Sequence, residues 1–287
     1  MREGVTQLAI TEIFSELASY FSYKFVVSAF IVGGLVSLCA SLLGVSLVLR
    51  RCSMIGDGLS HVAFGALALA TVLGAAPMAF SLPIVVIAAV LLLRVSENSS
   101  VGGDASIAMI SGTSLAIGVI AISLTTGMNT DVNSYMFGSL SAMEDGDVIL
   151  SVILSVIVLA FYLLCFNRIF SFTFDESFAK ATGLHAELYK TATAIVTAVT
   201  IAVGMRVIGA MLISALVIFP ALSAMRVFGS FKGVAVCAAA LSVICSFLGI
   251  SASCLLDLPP GAAIVAVNAI ACILFSAVGK IKNTVKK

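Results

Sequence analysis

Residues 25–49 read FVVSAFIVGGLVSLCASLLGVSLVL, a stretch of 25 residues without a charged side chain. A helix of about 20 mostly apolar residues crosses the roughly 30 Å hydrocarbon core of a bilayer, so this stretch predicts a transmembrane helix. The rest of the chain has the same character: 61% of its 287 residues are hydrophobic, 10% are charged, and the mean hydropathy is +1.21. Soluble domains carry about 25% charged residues. We therefore expect a polytopic membrane protein, and most cytosolic enzymes, secreted modules and nucleic-acid binders are excluded.

Further apolar runs free of Asp, Glu, Lys and Arg follow along the chain. They cover residues 58–93, 105–128, 148–167, 191–205, 207–225, 233–256 and 258–279. Gly74 and Pro77 interrupt the first of these runs, which splits it in two and brings the total to nine. Two of the resulting segments are short, so a count of eight also fits. The predicted fold is an all-α bundle of about nine spans over residues 25–280, between an N-terminal segment, 1–24, and a basic cytoplasmic tail, 281–287.

The basic residues predict the orientation, because Lys and Arg accumulate in short cytoplasmic loops. If the N-terminus is outside and nine helices alternate, 12 of the 15 Lys and Arg residues fall in cytoplasmic segments, which favours this topology. Segment 1–24 carries apolar residues on one helical face and Glu12 and Glu16 on another. It is interpreted either as an amphipathic helix on the outer membrane interface or as a tail.

Two ionisable residues are expected at membrane depth: Asp57, which directly precedes the run 58–93, and His61, which lies within it. Such residues are costly in a bilayer and are usually functional. They are four positions apart, so a helix places both side chains on one face. A carboxylate and an imidazole together are half of a site for Zn²⁺, Mn²⁺ or Fe²⁺. The structural alternative is that Asp57 caps its helix or pairs with Arg50 or Arg51, with His61 packed beside it.

A polar loop, residues 168–190, is the longest predicted cytoplasmic segment. Within it, Asp175 and Glu176, then Ala179 and finally Gly183 indicate a short helix that acidic residues start and a glycine stops. Such a helix would present a surface to a cytoplasmic partner. The alternative is an ordinary solvated connector.

Catalytic motifs are absent from the sequence. There is no GxxxxGK[ST] phosphate loop, no HExxH and no GxSxG. ATP hydrolysis is therefore expected on another chain. An intramembrane metalloenzyme is disfavoured because a catalytic metal needs about three protein ligands. A secondary transporter with Asp57 as its coupling carboxylate remains the alternative, although the internal repeats it would predict are not evident.

Four stretches resemble a known family, the membrane permease subunits of zinc, manganese and iron ABC importers. The first is IGDGLSH, and the second, TDVNSYMFG, is similar to a conserved stretch of these permeases. The third, FDESFAKATG, looks like the loop by which ABC permeases dock on their ATPases, and the fourth is VIGAMLISALVIFPA. They occupy residues 55–61, 130–138, 174–183 and 207–221. Gly58 departs from the family's usual alanine, and Ser177 interrupts the double alanine of the docking loop.

The resemblance implies a type II importer fold, a homodimer of permeases in a bacterial plasma membrane, two cytoplasmic ATPase subunits and an extracellular metal-binding protein. It also implies that Asp57 and His61 bind the transported Mn²⁺, Zn²⁺ or Fe²⁺, with no permanently bound cofactor. Asp175, Glu176, Ala179 and Gly183 then belong to the ATPase coupling loop.

Overall fold

A computed structural model describes residues 22–98, 103–125, 136–138 and 145–285. These residues form helices and no strands, so the predicted all-α class is confirmed. Segment 1–24 lies almost wholly outside the described residues, as does the stretch 130–138 apart from its last three positions. The labelled helices are α1 (Lys24–Leu49), α2 (Met54–Val72), α3 (Pro77–Asn98), α4 (Gly103–Thr125), α5 (Asp145–Phe174), α6 (Glu176–Ala181), α7 (Ala186–Ile208), α8 (Ala210–Val227), α9 (Phe231–Leu256) and α10 (Pro260–Val285).

Eight of these helices are long and apolar enough to cross a membrane. The remaining long helix in the described part, α8, has a shorter apolar stretch, Ile213–Val227. The predicted break in the run 58–93 is confirmed. Gly74 has a φ of 64°, and Pro77 begins α3, where its missing N–H is not needed.

The loop predicted over residues 168–190 is wrong in its extent. Helix α5 continues to Phe174, and α7 already begins at Ala186, so the connection between the two helices is much shorter than the polar composition suggested. The reason is packing: Ile169 and Phe172, three positions apart, are both buried in the apolar core. Burial of that face keeps the polar segment helical beyond its apolar run.

Helices α1 and α2 form the centre of the bundle. They are buried along most of their length, whereas α4, α5 and α10 expose many large apolar side chains, such as Leu124, Leu164 and Ile273. Helix α1 packs against α5, α8 and α9, and α2 packs against α3, α4 and α8. An apolar outer surface around a buried centre is the arrangement expected of a bundle that faces lipid.

Gly44 sets the closest approach between α1 and α8. A Cβ atom at this position would lie 2.0 Å from the backbone oxygen of Val217, a distance that no side-chain rotation relieves. Small residues allow helix backbones to approach in this way in membrane proteins. The contact fixes α8 beside α1, and with it the segment that carries Ser214.

Candidate metal site and docking helix

The Asp57 and His61 side chains lie together on one face of α2. Asp57 is in the first turn, and its Oδ2 is 3.7 Å from Nε2 of His61. The Asp57 side chain is 38% exposed, whereas the His61 side chain is 15% exposed. The predicted pairing on one helical face is confirmed by this geometry. The carboxylate is therefore accessible, with the imidazole behind it.

Ser214 on α8 is a third polar group at this site. Its hydroxyl donates a hydrogen bond to Oδ1 of Asp57 across 3.1 Å. Ser60 contributes indirectly, since its hydroxyl donates to the backbone oxygen of Asp57 at 2.7 Å. Ser214 thus orients the carboxylate from a second helix. Sequence reasoning missed this residue, although it lies inside the quoted stretch 207–221.

His61 has an unused ring nitrogen. Its Nδ1 is buried and has no hydrogen-bond partner among the described residues. A buried nitrogen without a partner is unfavourable and uncommon in folded proteins. Beside this pair, a Cβ on Gly58 would lie 2.7 Å from Ile107 on α4. The glycine that replaces the family's alanine therefore allows α4 to pack closely beside the pair.

Asp57 does not pair with Arg50, which was one form of the structural alternative for this carboxylate. Arg50 instead pairs with Glu97 and Glu176, at 3.4 and 3.6 Å. The N-cap residue of α2, Ser53, makes no side-chain capping bond. Asp57 is therefore oriented by Ser214 and His61 rather than held by this arginine.

The candidate metal site has two side chains of the types that commonly bind transition metals, the Asp57 carboxylate and the His61 imidazole. Within the described residues, no group of three or more His, Cys, Asp or Glu side chains is placed to hold a metal ion. A tetrahedral zinc site takes four ligands. A metal ion at this pair would therefore need further donors besides these two side chains.

The predicted short helix exists and has defined ends. Asp175 is the N-cap of α6, and its carboxylate accepts a hydrogen bond from the Phe178 N–H at 2.9 Å. At the other end, Gly183 has a φ of 81° and donates to the Lys180 carbonyl, while Leu184 donates to the Ala179 carbonyl. These two bonds are a Schellman motif, which normally places glycine at the left-handed position.

Two faces of α6 differ in burial. Ala179 is fully buried in the apolar core, whereas Phe178 is 62% exposed. Lys180 lies 2.8 Å from Glu176, and this ion pair lowers the pKa of the Glu176 carboxyl and raises the pKa of the Lys180 ammonium. The helix is therefore anchored by Ala179 and presents an aromatic side chain outward.

Three cations and three carboxylates meet where α6 joins the bundle, and we call this group the charge cluster. Its most buried member is a lysine whose side chain is 3% exposed. The six charges balance to zero. The members are Arg50, Glu97, Glu176, Lys180, Glu187 and Lys190.

The sequence profile of the ABC 3 transport family matches residues 22–279, which is nearly the whole chain. The chain belongs to the ABC 3 transport family. The match includes the Asp57–His61 pair and the short helix α6, so the predicted resemblance to metal-importer permeases is confirmed at the level of the family.

Several relatives of this ABC 3 family chain have named roles. It is 32% identical over 249 residues to a "Probable metal transport system membrane protein" of Thermotoga maritima, covering 85% of this chain and 86% of the relative. It is 27% identical to the "High-affinity zinc uptake system membrane protein ZnuB" of Haemophilus influenzae, covering 86% and 95%. It is 26% identical to the "Manganese import system permease protein ScaB" of Streptococcus parasanguinis, covering 86% and 88%.

A solved structure has the same fold. PsaBC from Streptococcus pneumoniae, determined in complex with Fab, superposes with a TM-score of 0.83 at 25% sequence identity. The superposition covers 95% of this chain and 99% of the PsaBC chain. This ABC 3 family member therefore has the fold of the PsaBC chain along nearly its whole length.

Proposed function

We propose that this chain is the membrane-spanning subunit of an ABC importer for a divalent transition metal, zinc or manganese, driven by ATP hydrolysis on a separate chain. The observation that carries the proposal is the Asp57–His61 pair, whose oxygen and nitrogen donors suit both ions. Relatives named for zinc uptake and for manganese import support it. The metal is the cargo, so no permanently bound cofactor is proposed. An extracellular metal-binding protein is the expected donor of the ion.

A homodimer would complete the metal shell. Two copies of α2 near the two-fold axis would contribute two Asp57 carboxylates and two His61 imidazoles, enough for a four-coordinate ion. The Asp57 carboxylate supports this arrangement, because its side chain is 38% exposed and can take part in a site shared with a second copy. Such a site must bind weakly enough for the ion to leave.

The function is tested by comparing metal contents of cells with and without this gene, grown with zinc or manganese limiting. We expect the deletion to lower the cellular content of one of the two metals and to slow growth when that metal is scarce. Restoration by the intact gene, but not by added iron, is the control. Unchanged uptake of both metals would contradict an importer for zinc or manganese. Uptake that continues without ATP but collapses with the proton gradient would favour the secondary transporter.

We further propose that residues Asp175 to Gly183 dock the ATPase. The exposed Phe178 ring, beside the buried Ala179, supports a role in contacting another protein, since exposed aromatic side chains anchor interfaces. The capping bonds at both ends of α6 keep that ring in a fixed position. We also propose that residues 25–280 form the transmembrane domain, between the N-terminal segment 1–24 and the basic tail 281–287. The last helix, α10, continues past this boundary to Val285.

Gly183→Val tests the docking helix. Valine at a φ of 81° is strained by roughly 1–2 kcal/mol, so the Schellman motif should open and α6 should lose its position. We expect that much less ATPase copurifies with this variant, while the permease itself still inserts normally into the membrane. Gly229→Val is the matched control, because that glycine lies in a different connection and a Cβ there meets no atom within 4 Å. If equal amounts of ATPase copurify with both variants, α6 is only a connector between α5 and α7.

The N-terminus is proposed to be outside and the C-terminus cytoplasmic, with nine crossings. Lys24 pairs with Asp145 at one end of the bundle, while Arg50, Glu97 and Glu176 meet at another point. Two long helices separate Arg50 from Glu97, and two more separate Glu97 from Glu176. Two crossings return the chain to the same side of the membrane, so the meeting of these three residues supports helices that cross in alternating directions. A single cysteine at position 145 should react with an impermeant reagent added from outside. A single cysteine at position 176 should react with the same reagent only after the membrane is permeabilised. Labelling of both from the same side would contradict the topology.

A further inference from the structure

The charge cluster connects four helices, α1, α3, α6 and α7. Arg50 is the C-cap residue of α1, Glu97 lies near the end of α3, and Glu176 is the first residue of α6. Nη2 of Arg50 lies 3.4 Å from Glu97 Oε1 and 3.6 Å from Glu176 Oε2. The docking helix is therefore connected by charge to the ends of two membrane-spanning helices.

Lys190 on α7 is the buried centre of this connection. Its ammonium lies 2.8 Å from Glu97, 3.3 Å from Glu176 and 3.1 Å from Glu187. A buried ammonium is strongly unfavourable when it loses all of its partners. Glu97 and Glu187 are not part of α6, so Lys190 stays paired even when Glu176 moves away. This partner set allows α6 to shift without stranding a buried charge.

The path from Arg50 to the metal pair is short. The turn between α1 and α2 is closed by a hydrogen bond from the Cys52 N–H to the Leu47 carbonyl at 2.9 Å. Asp57 follows Arg50 by seven residues and lies in the first turn of α2. The Arg50 guanidinium also lies over the Phe172 ring, 5.4 Å from its centroid, near the end of α5. A displacement of Arg50 therefore reaches the start of α2 through a tight turn.

We propose that Arg50, Glu97 and Lys190 are positioning residues that convert a movement of the docking helix into a movement of α2 and its Asp57–His61 pair. The inference rests on the proposed importer function. When the ATPase moves α6, Glu176 draws the Arg50 guanidinium with it, while Lys190 keeps its ion pairs with Glu97 and Glu187. Both arrangements retain an ion pair for each of these cations, as a switch between two packed states requires. None of the three residues touches the ion.

Glu97→Gln tests the proposal because Glu97 is outside α6 and outside the metal pair. The measurement is the number of ATP molecules hydrolysed per zinc or manganese ion transported, in proteoliposomes that hold the permease and its ATPase. Coupling free energies between sites typically correspond to about fivefold or more, so we expect at least about a fivefold rise in this ratio. Glu97→Asp, which retains the carboxylate, should recover most of the wild-type ratio.

Lys232→Met is the matched control. Lys232 lies in the first turn of α9, its side chain is exposed, and it belongs neither to the charge cluster nor to α6. We expect its ratio to equal that of the wild type. Arg50→Met is a second test variant, with the same expected rise as Glu97→Gln, so that a folding defect in one variant does not decide the result.

A normal ratio of ATP to ion in both Glu97→Gln and Arg50→Met would overturn the inference, even if less ATPase copurified. That outcome would assign the charge cluster a purely structural role. Failure of the proposed function has a different signature, namely a wild-type complex that transports neither metal on addition of ATP. The two failures are therefore distinguishable in one experiment.

Discussion

Asp57→Asn is expected to abolish metal uptake while the permease still inserts and binds its ATPase. Asparagine has nearly the shape of aspartate but no negative charge, so the site can no longer compensate the charge of a divalent ion. His61→Ala removes the nitrogen donor and should have the same effect. For each variant we expect a fall in the initial rate of uptake of roughly a hundredfold, the upper range found when supporting residues of metal sites are replaced.

Ser214→Ala and Ser60→Ala sharpen this prediction. Ser214 donates to the Asp57 carboxylate, so its loss should weaken uptake by roughly tenfold. Ser60 donates only to the Asp57 backbone, so Ser60→Ala should leave uptake close to that of the wild type. Initial rates measured with radioactive zinc or manganese provide the comparison. Normal uptake by both Asp57→Asn and His61→Ala would make the pair a structural feature of α2 instead of a metal site.

Gly44→Ala is expected to have the largest effect on stability of any single methyl group added to the bundle centre. The new Cβ would lie 2.0 Å from the Val217 backbone oxygen, so α1 and α8 must separate. Overpacking of this kind costs about 3 kcal/mol, and here the clash is with backbone, which cannot change rotamer. Because Val217 follows Ser214 by three residues, the separation should also lengthen the hydrogen bond to Asp57.

Gly112→Ala is the opposite case in the same protein. Gly112 lies inside α4, and a Cβ there meets no atom within 4 Å. Alanine in place of glycine within a helix is then favourable by about 0.5 kcal/mol, because the unfolded chain loses conformational freedom. The midpoint of thermal unfolding in detergent should fall for Gly44→Ala and stay level or rise for Gly112→Ala. Equal shifts would contradict the close approach of α1 and α8.

The pairing of Asp57 with His61 was predictable because the two residues are neighbours on one helix. Asp57 and His61 are four residues apart, and a helical period places such residues on the same face whatever surrounds them. Ser214 was not predictable in this way. It lies 157 positions away on another helix, and a serine within an apolar run gives no local indication of its partner. The same holds for Arg50, whose partners proved to be Glu97 and Glu176.

The bundle and the short helix α6 were determined by the sequence itself, because apolar runs of membrane length, an acidic helix start and a stopping glycine are local properties. The ends of α5 and α7 and the charge cluster were decided by the tertiary structure. Ile169 and Phe172 prolong α5 because they are buried against other helices, and Lys190 is tolerated because carboxylates from α3, α6 and α7 surround it. Burial and charge pairing across helices depend on which elements pack together, and no local pattern contains that information.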